Sequence, residues 1–314
     1  MVTKKKLTIA IPTYNRSAFL KQSLERISKQ IINLEKDIEL IVSDNCSTDN
    51  TKEVVEEFIQ CGLPIIYNRN VSNIGMDGNF VYCFQNASSK YVWVLGDDDY
   101  LIEGSISKLL SIIDSDEFGL IHLKNTSQLS EKDKFISRVS YNEIDFIGEI
   151  SFMITFISAN IVQTKYVEKI NFNKYLGTYF TLIPLYLTAA IQEKKNLMVY
   201  SKTMDIAADA LTNGGYNFFE VFVTNYLKIL KEYIPQLGFV WYEMEKYNLC
   251  RKFLYGWMKL LLINKNHGLN FRTNNWVKIL FKKYWYEPYF YPMLFLLLIK
   301  KMKSLKQNIK FEIN

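Results

Sequence analysis

The chain has little histidine, little cysteine and no long uninterrupted apolar run. Its two histidines in 314 residues, His122 and His267, stand far apart, which argues against a histidine-built zinc or iron centre. The four cysteines, Cys46, Cys61, Cys83 and Cys250, form no C-x-x-C pair. The start "MVTKKKLTIAIP" has a short apolar run that ends in Pro12 and does not read as a secretory leader. Reduced thiols in a cytoplasmic protein are therefore expected. The most apolar stretch, "YFYPMLFLLLI" at residues 289–299, is eleven residues long and carries a proline. A spanning helix needs about 20 residues, so it is not read as one. There is no internal repeat and no low-complexity linker.

What is present is a globular composition, 49% hydrophobic and 22% charged, rich in aromatics with 21 Tyr and 21 Phe. The net charge is +6, and its place matters more than its size. From Trp276 onward stand eight lysines (278, 282, 283, 300, 301, 303, 306 and 310) against Glu287 and Glu312. The excess lies in this tail and the remainder is balanced, which argues against a uniformly basic nucleic-acid binder.

The first hundred residues alternate between short apolar runs and helical stripes. "KLTIAIPTYN", "IELIVSDN", "LPIIYNRN" and "KYVWVLGDDD" read as strands, with "FGLIHL" as a later one. "SAFLKQSLERISKQI", "STDNTKEVVEEFIQ", "GMDGNFVYCFQNAS" and "SISKLLSIID" read as helices. This alternation implies an α/β fold with a parallel sheet covered on both faces, and in such sheets ligands bind beyond the carboxyl ends of the strands. After residue 130 the signals blur. From about residue 216 the chain reads as helical and aromatic, with a boundary expected near 205–215 around "TNGG".

Four polar stretches fall at successive strand ends. Pro12, Thr13 and Tyr14 close the first, where an aromatic can stack on a base and a hydroxyl can bond it. Asp44 closes the second, where a carboxylate can accept the N3–H of a uracil or thymine ring. "RNVSNIGMDGNF" follows the third, with Asn73 and Asn79 as candidates for ribose or diphosphate oxygens and a helix start that offers free N–H groups to phosphate. Each of these also reads as ordinary turn and cap chemistry. The fourth is Asp97-Asp98-Asp99 after Gly96. If the backbone is extended there, Asp97 and Asp99 share a face and suit a hard divalent cation such as Mg²⁺ or Mn²⁺. Taken together, the four stretches point to one nucleotide and metal site on one sheet edge.

The motifs "LTIAIPTYNR", "IELIVSDNCSTDNT", "NVSNIGMDGN" and "YVWVLGDDDYL" resemble, in order and spacing, those of the family 2 inverting glycosyltransferases with the GT-A fold. The resemblance covers about residues 5–125. It implies a Rossmann-like mixed sheet flanked by helices, a nucleotide-sugar donor with UDP-sugar foremost, and bacterial surface polysaccharide synthesis of the capsule or O-antigen type. It places Thr13 and Tyr14 at the base, Asp44 on the uracil, Asp98 near the sugar or ribose, and Asp99 on a metal that bridges the diphosphate. The family's catalytic base is an acid expected here in "NKYLGTYFTLIPLYL", residues 173–187, which holds no Asp or Glu. Asp209 is the substitute taken, with Asp205, Glu193 and the 143–149 acidic stretch as alternatives.

The chain is thus expected to be a GT-A catalytic domain over residues 1–210 followed by a helical region over 211–314 with a basic tail. The lysines and interfacial aromatics of that tail suit an anionic membrane surface, which places the protein at the inner face of the cell membrane with a saccharide or lipid-linked acceptor. Oligomerisation is open. Two competing classes are a nucleotidyltransferase, disfavoured because "PTYNRSAF" has no glycine to cradle a triphosphate, and a non-catalytic glycan- or nucleotide-sugar-binding protein.

Overall fold

The computed structural model describes residues 4–124, 135–207, 215–263 and 271–312, and the chain divides into two compact units, Met1–Ala210 and Leu211–Asn314. The first unit opens with β1 (Leu7–Thr13), α1 (Ser17–Ile31), β2 (Ile38–Asp44), α2 (Thr51–Gln60), β3 (Ile65–Arg69), α3 (Gly75–Gln85) and β4 (Tyr91–Val94). All residues of β1, β2 and β4 are buried, which is why these strands read as unbroken apolar runs rather than as alternation. Strand pairing β3-β2-β1-β4 is parallel throughout, with Thr13 opposite Asp44 and Asp44 opposite Arg69. That register sets the three strand ends side by side.

The sheet is covered on both faces. Helix α1 buries Leu20, Leu24, Ile27 and Ile31, spaced three and four apart, against Leu7, Ile9, Ile11, Leu40 and Val42. Helix α4 (Ser105–Ser115) joins the same core through Ile106, Leu109, Leu110 and Ile113. Burying each such side chain contributes about 1.5–3 kcal/mol relative to exposure. Helix α3 packs on β1, β2 and β4 outside that core and meets α6 (Ile183–Gln192) through the rings of Phe84 and Tyr186, 6.1 Å apart.

Beyond β4 the sheet ceases to be parallel. β6 (Leu120–Leu123), β7 (Ser137–Ser140), β8 (Asn160–Gln163) and β9 (Asn196–Val199) complete an eight-stranded sheet in the order β3-β2-β1-β4-β8-β6-β9-β7. β8 runs antiparallel to both β4 and β6, so the sheet is mixed, as the family resemblance implies, with its parallel half built from the first hundred residues. The reason is connectivity. α5 (Glu143–Ile150) and two short 3₁₀ turns return the chain to the far end of β4 before β8 begins. A two-stranded ribbon of β5 (Asp99–Leu101) and β10 (Met204–Ile206) pairs Tyr100 with Asp205 beside the main sheet.

The second unit is helical: a π-helical turn at Glu220–Asn225, α7 (Tyr226–Lys231), α8 (Ile234–Leu237), α9 (Phe239–Asn248), a second π turn at Leu249–Leu254, α10 (Tyr255–Ile263), α11 (Trp276–Tyr284) and α12 (Phe290–Glu312). Aromatic rings fill its core. Phe218 lies 4.1 Å from Trp257 and 4.7 Å from Phe222, ring centre to ring centre. Lys246 is buried with Glu287 and receives its charge balance there, with the Tyr286 hydroxyl 2.8 Å away. Among the described residues no helix is long and apolar enough to cross a membrane.

Candidate active site

The acidic stretch after β4 does not continue as an extended strand. The Asp99 N–H donates to the Gly96 carbonyl at 3.1 Å, closing a turn, so the expected sharing of one face by Asp97 and Asp99 is replaced by a different sorting. Asp97 is buried, and the Thr13 hydroxyl donates to its Oδ2 at 2.7 Å. Arg16, one residue before α1, lays its guanidinium across two acids: Nε is 2.8 Å from Asp97 Oδ1 and one terminal nitrogen is 2.6 Å from Asp98 Oδ2. Asp99 faces the other way. The Ser158 hydroxyl donates to Asp99 Oδ2 at 2.5 Å while accepting from the Gly96 N–H at 2.8 Å.

The absence of a side chain at Gly96 is a requirement of this arrangement. A β-carbon there would lie 2.7 Å from Asp99 Oδ2 and 3.1 Å from Asp98 Oδ1. Two carboxylates therefore curl into the space a side chain would fill. Burial pushes Asp97 up to about 6, against the pull of Arg16 and Thr13, and pushes Asp99 up to about 7, with its acidic neighbours adding to the shift and Ser158 opposing it. Among the described ion pairs Arg16 meets Asp97 and Asp98, while Asp99 takes a hydroxyl. Among the described residues no group of three or more His, Cys, Asp or Glu side chains is arranged to hold a metal ion. The pair of carboxylates over Gly96 nonetheless fits a divalent cation of the Mg²⁺ or Mn²⁺ kind, which takes one or two carboxylates and fills its remaining positions with phosphate oxygens and water.

The ends of β2 and β3 are built differently. Asp44 is fully buried; its Oδ1 accepts from the Ser47 N–H at 2.8 Å, and its Oδ2 accepts from the Tyr67 hydroxyl at 2.8 Å and lies 3.4 Å from Arg69 Nε. Asn79 donates to the Ser43 carbonyl at 3.0 Å and accepts from the Ser43 hydroxyl at 2.6 Å and from Asn70 at 3.2 Å. Asn45 donates to Asn73 Oδ1 at 2.9 Å and accepts from the Ile74 N–H at 2.9 Å, and Asn73 Oδ1 also accepts from the Gly75 N–H. Asn73 and Asn79 thus tie the β2 and β3 loops to the start of α3. Pro12 lies buried within β1, and Tyr14 is exposed at its end. Asn15 and Cys46 both take positive φ, 53° and 67°, and the two loops are latched by Asn15, which accepts from the Thr48 N–H at 2.7 Å.

Several acids considered for proton removal are already neutralised. Asp205 pairs with Lys202 at 2.5 Å and Arg26 at 3.4 Å, and its carboxyl is held below the usual range by Lys202 foremost. Glu193 is bonded by Lys165 at 2.6 Å and the Tyr166 hydroxyl at 2.9 Å. In the 143–149 stretch Glu149 is bonded by Tyr200 and Lys124. Asp209 lies outside the described residues. Asp77, in the first turn of α3, accepts from the Tyr179 N–H at 3.0 Å, and its other oxygen is buried with no hydrogen-bond partner among the described residues. The sequence reading passed over Arg16, Ser158 and Asp77. Arg16 carries a sequence signal, a cation directly after a strand-end motif. Ser158 reaches across 59 residues and has none.

A half-parallel mixed sheet, with a buried acid cluster beyond the carboxyl ends of its central strands, defines a GT-A type of domain. Residues 8–169 match the model of glycosyl transferase family 2, and the chain belongs to that family. It is 39% identical over 110 residues to abequosyltransferase RfbV of Salmonella typhimurium, covering 35% of this chain and 33% of that protein. It is 33% identical over 157 residues to the GalNAc(5)-diNAcBac-PP-undecaprenol beta-1,3-glucosyltransferase of Campylobacter jejuni, covering 46% of this chain and 50% of that one. The matches thus span half or less of these curated relatives. Among solved structures the fold is similar to S. aureus TarS 1-349 in complex with UDP, with a TM-score of 0.56 at 16% identity over 82% of this chain and 79% of that one. It is also similar to the mannosyltransferase PcManGT from Pyrobaculum calidifontis in complex with GDP-Man and Mn²⁺, with a TM-score of 0.54 at 13% identity over 96% and 88% of the two chains.

Proposed function

We propose that this chain moves a sugar from a nucleotide diphosphate donor to a hydroxyl of a saccharide or lipid-linked acceptor, with inversion and with the help of a divalent cation, in the assembly of a bacterial surface polysaccharide. The observation that carries it is the pair of carboxylates, Asp98 and Asp99, folded over Gly96 beyond the ends of β1 and β4. Asp98 and Asp99 would hold the cation, which when bound stabilises the departing diphosphate as a Lewis acid. Thr13 fixes Asp97 and so the turn that presents the other two acids. Tyr14, exposed at the end of β1, would stack on the base, and Asp44 would accept the N3–H of a uracil ring, with Tyr67 and Arg69 as its neighbours in the fold. A carboxylate takes the acceptor proton as the new bond forms, a contribution of roughly 10²–10⁴ in rate. Asp209 is assigned that role on sequence grounds, and Asp77 is the alternative because its Oδ1 lacks a partner among the described residues.

UDP-sugars are the first donors to test, since TarS has been solved with UDP and with UDP-GlcNAc. The name of the Campylobacter relative, built on an undecaprenol diphosphate glycan, supports a lipid-linked acceptor. So does α12, where Tyr291, Phe295, Leu298 and Met302 are exposed at helical spacing with Lys300 and Lys301 among them. We assign this stripe to the surface of an anionic membrane on the cytoplasmic side. Incubation with UDP-sugars and Mn²⁺ is expected to release UDP slowly alone and faster with a glycan acceptor, and Asp99→Asn is expected to stop both. Binding of UDP-sugars without any UDP release, with or without acceptor, would instead favour a non-catalytic binding protein, consistent with the absence of an acid at 173–187.

A further inference from the structure

Three carboxylates in adjacent positions raise the question of what holds them together; Ser158 takes Asp99, and Arg16 takes the other two. Its guanidinium bridges two different carboxylates from two different nitrogens, Nε to Asp97 at 2.8 Å and a terminal nitrogen to Asp98 at 2.6 Å. It is also packed on the Phe19 ring, 4.4 Å from its centre, and its side chain is 18% exposed. A guanidinium has five N–H donors, so bridging two acids leaves donors for a further anion. The bridge and a divalent cation draw on the same carboxylate, Asp98, whose Oδ2 is on Arg16 and whose Oδ1 leans over Gly96.

We propose that Arg16 is a positioning residue that stands in for a divalent cation beside Asp98, competes with that cation for the Asp98 carboxylate, and pairs with the donor's diphosphate once the cation has entered. The proposal rests on the transferase reading and deepens it. It distinguishes Arg16 from a structural ion pair by sign: losing a structural pair weakens every ligand, whereas losing a competitor strengthens one ligand and weakens the other. Arginine suits both halves of the exchange, because its planar fork matches carboxylate and phosphate alike.

The test is a titration of Mn²⁺ followed by electron paramagnetic resonance, without nucleotide, on wild type, Arg16→Gln and Arg16→Lys, each checked for wild-type circular dichroism. UDP titrations into the same proteins at saturating Mn²⁺ follow. Arg16→Gln is expected to bind Mn²⁺ about tenfold more tightly, the scale of removing one nearby like charge. It is expected to bind UDP about tenfold more weakly, the scale of a lost charge-assisted bond to phosphate. Arg16→Lys keeps the charge without the fork, so its Mn²⁺ affinity is expected to fall between the two, and it supplies the comparison should Arg16→Gln not fold. Equal or weaker Mn²⁺ binding in a folded variant overturns the proposal while wild-type UDP binding upholds the transferase reading. Wild type that binds neither Mn²⁺ nor UDP overturns both.

Discussion

Two clusters of polar side chains lie at neighbouring strand ends of one sheet, and they are built on opposite plans. At β2 and β3, Asp44, Asn45, Asn73 and Asn79 bond to one another's loops and to backbone. At β4, Asp97 and Asp98 share the Arg16 guanidinium, Asp99 takes the Ser158 hydroxyl, and burial drives Asp97 up to about 6 and Asp99 up to about 7. The first cluster is bonded throughout within the fold and fixes the loops. The second gathers three adjacent acids of which Asp97 and Asp99 are buried and shifted upward, a cost that persists only where something else repays it. The contrast separates framework from chemistry: polar residues that look alike in sequence divide by whether the fold has already satisfied them.

The comparison is broken most forcefully by exchanging the two roles. Asp99→Asn is expected to lower turnover by at least about 10²-fold, the scale of removing one preorganised charge partner. It is also expected to leave melting temperature unchanged or raised, since it relieves a buried like-charge cluster. Asn79→Ala should do the reverse. It strands the buried Ser43 hydroxyl and carbonyl and is expected to cost about 2–3 kcal/mol in denaturant unfolding, with Mn²⁺ affinity little changed.

A pH series sharpens the same contrast. The folded-state values of Asp97 and Asp99 lie above the unfolded carboxylate value, so the folded chain holds more protons than the unfolded one between about pH 4 and 7. Their contribution to stability is fully present below that window and is lost as pH rises through it. Metal-free protein is thus expected to lose on the order of 5 kcal/mol from this source on going from pH 4.5 to 7.5, less in Asp99→Asn, and saturating Mn²⁺ should erase the loss. Buried His122, whose ring nitrogen lies 2.9 Å from Asn160 Oδ1, titrates in the opposite sense. Burial pulls it down to about 4, so its contribution is present above about pH 6.5 and lost as pH falls towards 4. Running the series in His122→Asn isolates the acid cluster. The smallest effect is expected in the second unit: Lys300→Glu with Lys301→Glu should reduce sedimentation with anionic vesicles at low salt, at about 1 kcal/mol per lysine, without altering UDP binding.

Much of the first half of the fold was legible in sequence because parallel strands buried on both faces appear as short apolar runs, and each ended where a turn motif began. That order alone puts the four strand-end stretches on one edge of one sheet, while the register that sets Thr13 beside Asp44 and Asp44 beside Arg69 is seen only in the fold. β8 was not legible, because four buried residues set between 3₁₀ turns and running against their neighbours carry neither period. At the site, the types and positions of the acids were legible and their sorting was not. Whether Asp97 faced a metal or an arginine depended on Arg16, 81 residues away, and on a turn at Gly96 that a run of three aspartates does not announce. Asn73 and Asn79 show the converse. Their residue type suits ribose or diphosphate, while their hydrogen bonds in the fold go to Gly75, Ser43 and the neighbouring loops.

The central claim is that the three aspartates present a cation to a diphosphate. The most direct measurement is the melting temperature of wild type and Asp99→Asn against UDP, dTDP, CDP and GDP, each with and without Mn²⁺. A nucleotide at one hundred times its dissociation constant adds about 2.7 kcal/mol, a shift of several degrees for a unit this size. The account predicts stabilisation of wild type by UDP or dTDP that requires Mn²⁺ and disappears in Asp99→Asn. No shift with any nucleotide, or a shift equal in size in Asp99→Asn, would contradict it.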